Sequence, residues 1–322
     1  MSKRWSPSIF GEYLCAKLFI FLSLALPLRA ALRFGEIAGD IGAMYTGKRR
    51  RDAVANVRQA FPGISEGGAE RIVRRAYRHF FRASVETIRA PRIIRSHNYS
   101  ECIRIRHEDR VNRVIAGGKG AIWITAHVGV WELFAMVQAF KGVRISSVYR
   151  PVKNPLIDRM LRRHRSELGQ KMISRKGALK SLIRTLRNRH GHVALLVDQH
   201  AKRDGVWVPF FGRLASTTPA PALLALRTGA PIVLWYSRRL PGTFRFEAFV
   251  DEPFTVTPSG DRAADIERVT RRISDRLEQF IRTCPDQWLW FHRRWRTPPP
   301  EVLERERSER EESHAGSSVQ PA

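Results

Sequence analysis

At 322 residues and 43% hydrophobic, the chain is long enough for one large α/β domain with peripheral helices, and its length does not require two. Its formal net charge is +27, and residues 297–322 hold six glutamates against three arginines, so residues 1–296 carry +30. Such a field attracts nucleic acid, an anionic membrane or an acidic protein, and composition does not choose among them. Cys15, Cys102 and Cys284 are too few and too far apart for a disulfide framework, a zinc site or a redox pair. No metal is expected, and a reducing compartment fits.

The first apolar stretch, residues 18–28, follows a basic start and has no convincing small-residue cleavage site, which argues against a secretory signal peptide. Its core falls short of the roughly 20 residues that cross a bilayer comfortably. Snorkelling of Lys17 and Arg29 extends it to about residues 13–32. Cations on both flanks suit a helix that lies in or dips into the cytoplasmic leaflet, with a buried core helix as the alternative. Residues 1–34 are therefore expected to be a membrane-associating helix.

Residues 35–116 are expected to be mostly helical. Lys48-Arg49-Arg50-Arg51 opens a helix that Pro62-Gly63 stops, and Ile72, Val73, Ala76, Tyr77, Phe80, Phe81, Val85 and Ile88 repeat at helical spacing. Arg71, Arg74, Arg75, Arg78 and Arg82 fill much of the remaining surface of that helix and read as a solvated face.

From residue 117 to 296, strand-like and helix-like segments alternate. Strands are expected over 121–126, 143–149, 171–174, 193–197, 231–236 and 244–250, and helices over 131–140, 156–168, 178–190 and 220–227, the last capped by Thr218-Pro219. This alternation predicts a mixed, largely parallel sheet flanked by helices, with functional residues at the carboxyl ends of the strands. Gly205-Val-Trp-Val-Pro-Phe-Phe-Gly212 reads as an apolar loop, either core filler or a wall for a greasy substrate. Residues 297–322 have too little apolar content to pack and are expected to be disordered.

The run Ala121-Ile-Trp-Ile-Thr-Ala-His127-Val-Gly-Val-Trp-Glu132 carries the sharpest chemical signal. A buried strand ends at His127, and Glu132 follows across a strand-to-helix turn. A histidine placed there can take a proton from an attacking hydroxyl while a carboxylate fixes its tautomer. A histidine that only satisfies a buried hydrogen bond would give the same spacing. Arg150, just after another strand and before Pro151, suits bidentate binding of phosphate or carboxylate, or else a structural ion pair. Trp288, Trp290, His292, Arg293, Arg294 and Trp295 read as a segment packed back on the domain or set at a membrane interface, and nucleic acid is not expected as a partner.

Taken together, Asn56 with Ala60-Phe61-Pro62, the His127/Glu132 pair, Tyr149-Arg150-Pro151 with Asn154-Pro155, Asp198-Gln199, Val208-Pro-Phe-Phe-Gly212 and Gln287-Trp-Leu-Trp-Phe-His292 resemble the lipid A biosynthesis acyltransferases. These are the late, lauroyl- and myristoyl-type enzymes of the lysophospholipid acyltransferase superfamily. The resemblance covers nearly the whole chain except the tail. It implies an enzyme of the cell inner membrane, on the cytoplasmic face, that moves a fatty acyl chain from acyl carrier protein to a hydroxyl of a phosphorylated glycolipid of the Kdo-lipid IVA type. By the same resemblance His127 is the general base, Glu132 its partner, and Arg150, Arg165 and Asp198 bind substrate or hold the site. No cofactor is implied, because the thioester donor is already activated and a positioned hydroxyl with a base suffices. An acyltransferase for another glycolipid or lysolipid, such as a phosphatidylinositol mannoside, and a non-catalytic membrane or nucleic-acid binding protein are the competing readings.

Overall fold

The computed structural model describes residues 6–317 other than 176, 189 and 203, with side chains as far as residue 308. The N-terminal part forms helices α1 (Pro7–Ala25), α2 (Leu28–Tyr45), α3 (Gly47–Ala60) and α4 (Glu66–Ile93). The single apolar helix expected over residues 13–32 is divided in two. Leu26 and Pro27 leave the helical conformation, since the residue before a proline is pushed towards extended backbone. Gly35 and Gly39 let α2 lie directly on α4: a Cβ at Gly39 would come within 2.6 Å of the Arg78 Cα. Asp40 on α2 then takes hydrogen bonds from Arg74 (2.9 Å) and Arg78 (2.8 Å), and Glu36 takes one from Arg82 (2.6 Å). Part of the arginine face expected to be solvated therefore clamps α2 instead.

The chain continues through α5 (Tyr99–Cys102), β1 (Ile103–Arg106), α6 (Glu108–Ala116), β2 (Ile122–Thr125), α7 (Trp131–Phe140), β3 (Ile145–Tyr149), α8 (Pro155–Glu167), β4 (Lys171–Ser174), α9 (Ala178–Arg187) and β5 (His192–Leu196). A hairpin of β6 (Val206–Phe210) and β7 (Arg213–Thr217) follows, then α10 (Ala220–Thr228), β8 (Ile232–Arg239), β9 (Phe246–Val250), α11 (Arg262–Thr283), a single 3-10 turn at Pro285–Gln287, and α12 (Pro300–Ser317). Seven strands form one sheet in the order β1-β9-β8-β2-β5-β3-β4. Every neighbouring pair is parallel except β8 with β9, so the sheet is mixed and largely parallel, flanked by helices as the sequence predicts.

Both faces of the central strands are covered, which explains their near-continuous apolar runs. Ile122, Ile124, Val193, Leu195, Ile232 and Leu234 face a core shared with α9, α10 and α11, whereas Trp123, Ala194, Val233 and Trp235 face the opposite core with Val111 and Phe134. The strand-to-helix alternation leaves the carboxyl ends of β2, β5, β3 and β4 at one edge of the sheet, and α4 crosses near that edge, where its His79 bonds to Gly129.

Three expectations change at this level. The region 35–116 is not purely helical, because β1 extends the sheet through register pairs from Ile103↔Phe246 to Arg106↔Phe249. The loop expected at Gly205–Gly212 is strand β6 and the turn of the hairpin, its Pro209 tolerated because only one partner strand lies beside it. Of the stretch past Thr297, Pro300–Ser317 form α12, in keeping with the helix propensity of glutamate and arginine, and residues 318–322 lie outside the described residues. Helix α11 is absent from the elements expected from the sequence, although Val269, Ile273, Leu277, Phe280 and Ile281 line its buried face.

Candidate active site

The register of β2 against β5 pairs Thr125 with Leu196, so His127 and Asp198, each two residues further on, emerge level at the same edge. Asp198 is buried and its carboxylate meets His127 twice: Oδ1 accepts from the ring Nδ1 at 2.8 Å, and Oδ2 accepts the His127 backbone N–H at 2.9 Å. Trp288 Nε1–H donates to the same Oδ2 at 2.8 Å. Burial alone would push the Asp198 carboxyl up, but the charge His127 can carry and the bonds from His127 and Trp288 outweigh it and hold the group well below the usual carboxylate range. An ionised carboxylate only accepts, so Nδ1 carries the ring proton and a neutral His127 leaves Nε2 as the basic nitrogen. The ring is partly exposed and stands edge-on to Trp131, centroids 5.0 Å apart.

The carboxylate that meets the imidazole is thus Asp198 and not Glu132. Glu132 sits in the first turn of α7, and its Oε1 is held by Arg165 Nε at 2.9 Å and Nη2 at 2.8 Å. Its Oε2 accepts from Gln170 Nε2 at 2.7 Å, and Gln170 Oε1 accepts from Ser147 at 2.9 Å. Chain proximity does not decide ring contact here: a helix beginning at Trp131 turns residue 132 towards α8, whereas the next strand of a parallel sheet delivers residue 198 beside the ring. Arg165, expected at a substrate site, is a partner of Glu132. Arg150 is exposed beyond β3 and makes no hydrogen bond or ion pair among the described residues. The five residues named from the sequence therefore divide into a His127–Asp198 pair, a Glu132–Arg165 pair and a solitary arginine.

Several residues that the sequence marks only as a motif or a packed segment support the pair. The Gln287 carbonyl accepts the Gly129 N–H at 3.0 Å, and the Gln287 side chain clasps the Arg239 backbone, accepting from N–H at 2.7 Å and donating to C=O at 3.2 Å. Arg294 is 1% exposed, donates to Ser216 O (2.6 Å), Gln199 O (3.3 Å) and Thr217 Oγ1 (2.6 Å), and so pins the turn after Asp198. Burial pushes its pKa down to about 10, with Asp198 opposing. His292 accepts the His200 N–H at 3.3 Å, and burial pushes its pKa down to about 4. The motif Gln287–His292 pointed to this segment without revealing which atoms it supplies. No group of three or more His, Cys, Asp or Glu residues suited to a metal ion occurs among the described residues.

Comparison with known proteins matches residues 2–297 to the family described as bacterial lipid A biosynthesis acyltransferase. The chain belongs to this family. It is 28% identical over 294 residues to the lipid A biosynthesis lauroyltransferase of Escherichia coli (strain K12), covering 89% of this chain and 92% of that protein. It is 24% identical over 304 residues to a lipid A biosynthesis acyltransferase of Haemophilus influenzae, covering 91% of each. A phosphatidylinositol mannoside acyltransferase of Mycobacterium tuberculosis is 27% identical over 195 residues, 58% of each chain. The protein is accordingly an acyltransferase.

Proposed function

We propose that this acyltransferase moves a fatty acyl chain from an acyl carrier protein thioester to a hydroxyl of a phosphorylated lipid A precursor of the Kdo-lipid IVA type, at the cytoplasmic face of the inner membrane. The observation that carries the chemistry is the His127–Asp198 pair, which leaves Nε2 free to accept a proton. The acceptor O–H gives that proton to Nε2 as its oxygen attacks the thioester carbonyl. Collapse of the tetrahedral intermediate breaks the C–S bond, and the departing thiolate takes the proton back from the imidazolium. An ester and a free thiol result. General-base catalysis of this kind is worth on the order of 10² to 10⁴ in rate. The unpaired Arg150 suits a phosphate or acidic sugar of the acceptor, and the cationic body suits an acidic carrier protein. Helix α7 starts without a side-chain cap four residues after His127, so its positive end favours the developing oxyanion.

The membrane reading rests on α1 and α2. Helix α1 has 19 residues and is long and apolar enough to cross a bilayer, with Phe10, Leu14, Leu18 and Phe21 exposed. Both of its ends, however, are fastened to the rest of the fold. Asn154 Nδ2 donates to Ile9 O (2.8 Å) and Glu12 (3.0 Å), and Arg89 donates to Ser23 O (2.8 Å) and Leu26 O (2.7 Å). A helix held at both ends against one body lies along it, which favours in-plane insertion over spanning. Ile37, Ile41, Met44 and Tyr45 add an exposed apolar stripe on α2, and the exposed Lys48, Arg49 and Arg51 that follow suit anionic headgroups.

The test is acyl transfer by the purified full chain from a panel of acyl carrier protein thioesters to a tetra-acylated lipid A precursor, with His127→Ala beside it. Transfer by wild type, lost in a folded His127→Ala protein, is the expected result. Transfer only to a phosphatidylinositol mannoside would move the acceptor class, and transfer undiminished in His127→Ala would sink the base assignment.

A further inference from the structure

We infer that His79 is a positioning residue for acyl transfer, whose Nε2–H holds the Gly129 carbonyl and so fixes the turn between His127 and α7. The inference rests on the reading of His127 as the base. His79 lies on α4, 50 residues before Gly129 in the chain, and is 5% exposed. Its Nε2 is 3.0 Å from Gly129 O and its Nδ1 is 2.7 Å from Arg239 Nη1. A guanidinium has only N–H donors, so Nδ1 must accept. The proton therefore sits on Nε2, which can only donate, and the carbonyl of Gly129 is its acceptor.

Arg239 is itself held by a buried fork. Its Nε donates to Glu86 Oε1 at 2.7 Å and its Nη2 to Oε2 at 2.5 Å, while Arg82 Nε reaches the same Oε1 at 3.2 Å. Glu86 is 0% exposed. Burial, then the charges of Arg239 and Arg82, push the His79 pKa well below its ordinary value, so the ring stays neutral and the tautomer stays put.

Gly129 is consequently gripped at both of its peptide groups, by Gln287 O at its N–H and by His79 at its C=O. Its φ of +62° and a Cβ position only 1.8 Å from Ser237 O leave the residue no other side chain and little room to move. Because the peptide is planar and trans, holding the Gly129 oxygen also sets the direction of the Val130 N–H at the entry to α7. A buried His–Arg–Glu chain is a poor way to gain stability, since well-packed apolar residues of similar volume often do as well, and fixing one geometry is what such a chain does better.

Steady-state transfer by the full-length protein tests this with His79→Leu and His79→Gln. Glutamine can donate its amide N–H to Gly129 O and accept from Arg239 at its carbonyl, whereas leucine offers neither bond. His79→Leu is expected to lower kcat by roughly 10- to 100-fold with KM within about threefold, as a misplacement of about 1 Å does. His79→Gln is expected to recover kcat to within about threefold of wild type. Wild-type kcat in His79→Leu, or equal losses in the two variants, would overturn the inference. Should His79→Leu fail to fold, His79→Asn replaces it: its shorter amide cannot span both partners, and a kcat equal to that of His79→Gln would be equally fatal. Running His127→Gln in parallel separates the two readings. An inactive His127→Gln with a fully active His79→Leu removes only the positioning role, and an active His127→Gln removes the base reading and this inference with it.

Discussion

Replacing Asp198 by asparagine should abolish most transfer without unfolding the protein, and the hydrogen bonds say why. Oδ2 of Asp198 receives two donors, the His127 backbone N–H at 2.9 Å and Trp288 Nε1–H at 2.8 Å, so an oxygen must stay at that position. The amide NH2 of the introduced side chain is thereby forced to the place of Oδ1, 2.8 Å from His127 Nδ1. An NH2 donates, so Nδ1 becomes the acceptor and the ring proton moves to Nε2, the nitrogen proposed as the base. The shape of the site is kept and its proton inventory is wrong. On that proposal, loss of base catalysis lowers kcat by about 10² to 10⁴, or about 3 to 6 kcal/mol of activation free energy at about 1.4 kcal/mol per decade. Thiol release from the proposed acyl carrier protein thioester in the presence of acceptor reports kcat directly, and an unchanged melting temperature certifies the fold. An Asp198→Asn protein whose kcat stays within about threefold of wild type would refute the argument from tautomer to base.

Two further outcomes follow from the structure. Glu132 and Arg165 touch through two contacts of 2.8 and 2.9 Å and so act as a unit. In a double-mutant cycle with Glu132→Ala and Arg165→Ala, the kinetic losses are expected to be non-additive by about 0.5 to 3 kcal/mol, and strictly additive losses would show that the two residues work separately. Stability should also fall with acid in the range where free histidines titrate. Burial lowers the pKa of His192 and of His292 to about 4, against about 6.5 in an unfolded chain. Between those values the unfolded state binds the protons and the folded state does not, so stability is complete above pH 6.5 and is lost as pH falls towards 4. Each residue accounts for roughly 2 kcal/mol between pH 7 and pH 5. Urea midpoints at the two pH values measure this, His192→Phe should flatten the slope, and a pH-independent midpoint would contradict the burial assigned to both rings.

Much of the architecture was legible in the sequence because it is written in local periodicity. The strands ending near Thr125, Tyr149, Ser174 and Leu196 and the helices between them follow from apolar runs and breakers, and the apolar run that stops at Ala126 is enough to put His127 at the sheet's carboxyl edge. Elements whose character comes from a distant partner were harder to see. β1 is a strand because it pairs with β9, some 140 residues away, and the hairpin looked like a loop because Pro209 and flanking glycines dominate its local pattern. The apolar N-terminal stretch was evident, whereas its division at Pro27 and the fastening of both ends of α1 to Asn154 and Arg89 required the fold.

The same distinction runs through the site. By itself the sequence determined the family, the candidate base and the set of charged residues around it, because residue identity and order are one-dimensional facts. The tertiary structure alone decided who touches whom. Asp198 displaces Glu132 as the partner of His127 because parallel strands β2 and β5 bring residues 71 apart to the same level, while a helix start carries residue 132 away towards Arg165. His79 and Arg239 enter for the same reason, and Gln287 and Trp288, present in the sequence as a motif, gain their contacts by it: hydrogen bonds join atoms close in space, and chain separation says nothing about that distance once a sheet has folded.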